Sequence, residues 1–129
     1  MKDLTQDYIP ELHKDHVEWK KKLAFYDDEL RIYKKQLADI SAKNTSHDLK
    51  VMVEKFQNQF IIQKDEIDRL NHFINVNEDD LEKEVISNPV AIEHRKMDDD
   101  KTLRERMEIF APLFEELKSE FQEFARKTF

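Results

Sequence analysis

From Leu49 to Leu81 the seam residues of this chain recur at alternating gaps of four and three: Leu49, Val53, Phe56, Phe60, Gln63, Ile67, Leu70, Ile74, Asn77 and Leu81. This is the a/d spacing of a heptad, interrupted by polar side chains only at Gln63 and Asn77. A helix that is apolar along one narrow line leaves that line in water unless other helices cover it, so the pattern demands partners. The same chain holds two more such lines. Ile9, Leu12, His16, Trp19, Leu23, Tyr26, Leu30, Tyr33, Leu37 and Ile40 keep the spacing without a slip, as do Leu103, Met107, Phe110, Phe114, Leu117, Phe121 and Phe124.

The breaks between these lines set the topology. Pro10 suits the first position of a helix, which predicts a first helix over about 10–42. Lys43-Asn44-Thr45-Ser46 interrupts the pattern. Asn44 is expected to take the left-handed cap that glycine usually fills, and Thr45 or Ser46 to cap the next helix. So short a break makes the first two helices antiparallel neighbours. The second helix is predicted over about 47–86, because Leu81 keeps the phase of Ile74 across the acidic Asn77-Glu78-Asp79-Asp80. Ser87-Asn88-Pro89 then reads as a second break, with Asn88 as cap and Pro89 as first helical residue. The third helix begins either there or at Thr102, which has capping-box spacing to Glu105, and runs to about 127. Pro112 falls on its outer side, where it should bend the helix without breaking it. The expected fold is all-α: one domain over 1–129, an up-down-up antiparallel three-helix bundle of long, coiled-coil-like helices.

Composition narrows the function. The 129 residues contain no glycine and no cysteine. Without glycine there is no Gly-rich phosphate loop and little prospect of tight β-hairpins; without cysteine there is no disulfide, thiolate metal site or thiol nucleophile. A cysteine-free chain with no apolar stretch of signal or membrane length reads as cytoplasmic and without a membrane role. Charged residues are 40% of the chain, but the nine Phe, three Tyr and one Trp lie in register, which argues against disorder. The net charge of -7 is concentrated in residues 77–100, which carry -6 of it, so no broad basic surface is left for nucleic acid. The basic run Lys20-Lys21-Lys22 shares its helix with Asp27, Asp28, Glu29 and Asp39 and reads as a mixed, solvated stripe.

Two functional readings remain. The first is contact with protein. Helix one carries a second apolar line away from its seam, including Phe25 and Ile32, and helix two carries Ile61 and Ile62. Folding about residues 43–46 places Phe25 near the level of Ile61 and Ile62, so Phe25, Ile32, Ile61 and Ile62 are expected to form one interface patch. The partner would be another protein or a second copy of the chain, giving a homodimer. The rival is a metal-binding bundle in the style of ferritin or hemerythrin, using His13 and His16. His72 is expected to point into solvent, and the paired Glu-x-x-His pattern of carboxylate-bridged metal bundles is missing. No catalytic residue and no cofactor stand out. Asp27-Asp28-Glu29 and Asp98-Asp99-Asp100 read as solvated clusters, not as an acid-base pair, so the expectation is a non-enzymatic interaction or scaffold module.

Overall fold

A computed structural model describes the backbone of residues 4–87 and 89–128 and the side chains of residues 11–80 and 101–128. Three helices account for it: α1 (Leu4–Lys43), α2 (His47–Ser87) and α3 (Pro89–Thr128). Cross-helix side-chain pairs fix their directions. Asp15–Arg104, Glu29–Lys118 and Tyr33–Gln122 each join residues 89 positions apart, a constant offset that only parallel, in-register helices can keep. Between α1 and α2 the separation instead widens away from the turn, from 37 residues at Asp27–Lys64 to 62 at His16–Glu78, as antiparallel helices require. α2 returns to α3 through Arg106–Glu66 at 2.7 Å. The bundle is up-down-up, as the seams predicted.

Every described seam residue is buried or half-buried. Leu23, Leu30, Leu37, Phe56, Phe60, Leu70, Ile74, Phe114 and Phe121 share one interior, and Trp19, Leu49 and Phe124 pack against its edges. Aromatic rings fill two levels. Nearer the α1–α2 turn, the ring of Phe121 lies 5.4 Å from Phe56, 5.2 Å from Phe60 and 5.4 Å from Tyr33. At mid-bundle Tyr26 meets Phe110 and Phe114 at 5.6 and 4.5 Å. These are the tilted and edge-on separations that ring quadrupoles favour.

Several boundaries differ from the sequence reading. α1 starts at Leu4, six residues ahead of Pro10. At the turn, no described residue has positive φ, so Asn44 does not form the left-handed cap. It accepts the Ser46 N–H on its own side-chain oxygen at 3.2 Å, a local loop that serves the same reversal. Ser46 is the N-cap of α2: its Oγ accepts from Leu49 N–H at 3.3 Å and its carbonyl from Lys50 N–H at 3.1 Å. The cap assigned to Asn88 lies outside the described residues. α3 runs unbroken from Pro89 through Asp98-Asp99-Asp100, past Thr102 and across Pro112, which is exposed. Asp is only a mildly poor helix former, so a helix already begun is not stopped by three of them.

Half-buried ion pairs tie the helices together and set an expected pH response. Its hydrogen bond from Lys64 holds the Asp27 carboxyl below the usual carboxylate range and holds the Lys64 ammonium high. Its hydrogen bond to Glu29 likewise raises Lys118. Burial, then hydrogen bonding to Glu29, pushes the Tyr33 hydroxyl up, and burial raises Tyr26. For the four raised groups, the stability they contribute is complete below their ordinary values near 10 and is lost as the pH climbs through the raised ones. For Asp27 the sign reverses: its contribution is complete above the ordinary carboxylate value and is lost as the pH falls through the lowered one. The urea midpoint should therefore hold from neutrality to about pH 10 and then fall, with a shallower fall in Tyr33→Phe. An alkaline limb identical in Tyr33→Phe and wild type would contradict this placement of the Tyr33 hydroxyl.

Candidate functional site

The four residues expected to form one patch are all exposed, but the structure distributes them over different faces. Consecutive residues on a helix point about 100° apart, so Ile61 and Ile62 flank opposite sides of the α2 seam. Ile61 lines a groove toward α1 with Lys34, Ala38 and Gln57. Ile62 lines a groove toward α3. Phe25 and Ile32, one heptad apart, lie on the flank of α1 that also carries Glu29, which reaches α3 through Lys118. Asp27, on the other flank, reaches α2. The structure thus brings Phe25 and Ile32 together and separates them from both isoleucines of α2.

Among the described residues, a groove between α2 and α3 has a volume of about 600 Å³. Ile62, Ile109 and Leu113 stand along it with 54%, 63% and 51% of their surface exposed. Phe110 and Gln63 form its floor, and Asp65, Glu66, Arg69 and Arg106 its charged rim. Gln63, a polar interruption of the α2 seam, is buried, and among the described residues its Oε1 has no hydrogen-bond partner. Arg106 joins this groove to a smaller one lined by Phe73, Asn77, Thr102 and Leu103. The guanidinium of Arg106 lies 4.9 Å from the Phe73 ring centroid while pairing with Glu66, so both its charge and its flat face are engaged. Ile109 and Leu113 escaped the sequence reading because they sit beside the α3 seam and not in it. Their spacing of four was the available signal. Folding α2 back on α3 about residue 88 puts them level with Ile62.

His13 and His16, the residues of the metal-binding alternative, do converge. Both bond the carboxylate of Glu78, His13 Nδ1 to Oε2 at 2.8 Å and His16 Nδ1 to Oε1 at 2.5 Å. An ionised carboxylate only accepts, so each ring presents Nδ1–H to it. His16 is fully buried against Trp19, with ring centroids 5.7 Å apart, whereas His13 is exposed. Among the described residues no group of three or more His, Asp or Glu side chains is placed to hold a metal ion. His72 is exposed, as expected, and takes no part in the group formed with Glu78.

The acidic cluster Asp27-Asp28-Glu29 is not uniformly solvated, which corrects the sequence reading. Asp28 is exposed, but Asp27 pairs with Lys64 at 2.8 Å and Glu29 is half-buried between Tyr33 and Lys118, each 2.7 Å away. A single turn of α1 presents these three carboxylates to α2, to solvent and to α3. Glu29 and Asp27 act as fasteners between helices.

No protein-family model matches the chain, and no curated protein and no solved structure matches it. Among the described residues no helix is long and apolar enough to cross a membrane.

Proposed function

We propose that this three-helix bundle is a non-enzymatic protein-interaction module that meets its partner through the α2–α3 face. The observation that carries the reading is the groove holding Ile62, Ile109 and Leu113, three large aliphatic side chains more than half exposed in one recess. Isolated apolar residues on a surface need no explanation; several contiguous ones with a charged rim are the composition of an interface centre and its edge. A chain without cysteine suits action in the reducing cytoplasm. The exposed Phe25–Ile32 flank of α1 is a lesser contact area on the same reasoning.

The test is site-specific photocrosslinking in cells that make the protein. A photoreactive residue replacing Ile62 or Ile109 should give discrete protein adducts, and the same residue at Lys20 on the solvated stripe should give none. Absence of adducts at both groove positions would remove the proposal.

A further inference from the structure

We infer that the occupant of the α2–α3 face is a second copy of this chain, packed about a two-fold axis that crosses the helices near the middle of α2. The inference rests on the interaction reading above and adds the partner to it. Val51, Ile62, Arg69, Phe73 and Val76 follow one another at gaps of eleven, seven, four and three, which keeps them on one stripe of α2, and all five are exposed. Stacked antiparallel on its own copy about a point near residue 67, the central part of this stripe complements itself. Ile62 faces the partner's Phe73, and Asp65 faces the partner's Arg69, with both pairs generated twice by the symmetry.

The charges are the stronger half of the argument. Asp65 and Arg69 are exposed, oppositely charged and, among the described residues, engaged in no ion pair, although their neighbours Glu66 and Arg106 are paired with each other. An unrelated partner would need its own matching charges in the same order; a copy of this helix running the other way already has them. The size also fits. About an axis near residue 67 the symmetric stretch is 58–76, about 27 Å long at about 1.5 Å per residue, and with α3 packed about 9 Å away the face is about 20 Å wide. Roughly 540 Å² per chain follows, about 1,100 Å² for the pair, just above the ~1,000 Å² that a specific interface needs. Ile109 of α3 lies within about one turn of the axis and so approaches its own symmetry mate.

Light scattering and analytical ultracentrifugation of the full chain should give a dimer. Asp65→Arg sets like charges against each other at two symmetric places and should weaken the dimer about tenfold or more. The double exchange Asp65→Arg with Arg69→Asp restores opposite signs and should return the affinity to within about threefold of wild type. That recovery separates loss of pairing from loss of folding. Because the chain has no cysteine of its own, Ile109→Cys offers an unambiguous thiol, and a short bismaleimide should join two chains through it while leaving Ile32→Cys without a covalent crosslink. A wild-type monomer at high micromolar concentration, or a dimer indifferent to Asp65→Arg, would overturn the inference. In the first case, photoadducts at Ile62 or Ile109 with a different protein would leave the interaction reading standing, and their absence at both positions would remove both readings.

Discussion

Phe121→Ala should lower the free energy of unfolding by about 3–5 kcal/mol, among the largest losses any single side chain of this bundle can cause. Phe121 has no exposed surface and sits where all three helices meet, with its ring against Tyr33 of α1 and against Phe56 and Phe60 of α2. Truncation removes the transfer energy of the ring and leaves a hole whose walls are themselves aromatic. Large planar walls anchored on three helices cannot close in as a single flexible leucine would, so the cavity cost stays near the upper end. Against a total stability of about 5–15 kcal/mol for a domain of this kind, such a loss takes the protein close to unfolding at ambient temperature. The measurement is the urea midpoint at constant slope, compared with Ile32→Ala, which removes an exposed side chain and should shift stability by no more than about 0.5 kcal/mol. Equal midpoints for the two variants would mean that the three seams do not share an interior.

That interior was legible in the sequence because burial in a bundle depends on one variable, the angular position of a residue on its helix. Leu23, Phe56 and Phe114 could be placed inside by counting alone. What the count leaves out is which neighbour each flank of a helix faces. Ile61 and Ile62 were grouped because both lie near the level of Phe25, yet adjacent residues on a helix diverge by about 100°, which sends one to the α1 side of the seam and the other to the α3 side. The groove residues Ile109 and Leu113 were invisible for the related reason that flank positions acquire meaning only when the adjoining helix is placed. Asn44 shows a different limit. Its role in a glycine-free turn was anticipated, but the side-chain loop to Ser46 N–H and the left-handed backbone are alternative solutions to one reversal, and local sequence does not choose between them. Charge was the least legible property. Asp27, Asp28 and Glu29 are chemically alike and consecutive, and their separate fates follow entirely from the angle at which each leaves α1.

Glu29 gives the second large expected effect, one whose sign depends on how many partners are removed. Its Oε2 receives both the Tyr33 hydroxyl and the Lys118 ammonium, while Oε1 is buried with no hydrogen-bond partner. Lys118→Met keeps most of the lysine stem and deletes the charge, leaving a carboxylate that is 12% exposed with one neutral donor. The expected cost is about 1.5–3 kcal/mol, below the ~3–5 kcal/mol of a fully buried broken pair because Lys118 itself reaches water. Replacing the whole group, Glu29→Leu with Tyr33→Phe and Lys118→Met, removes the desolvation cost of the carboxylate along with its partners. This triple variant should unfold within about 1 kcal/mol of wild type, and more stably than Lys118→Met alone. The comparison distinguishes a network that stabilises the fold from one that fixes the parallel register of α1 and α3 at little net gain. If the triple variant is instead the least stable of the series, the network contributes net stability, and apolar packing at that level of the bundle cannot replace it.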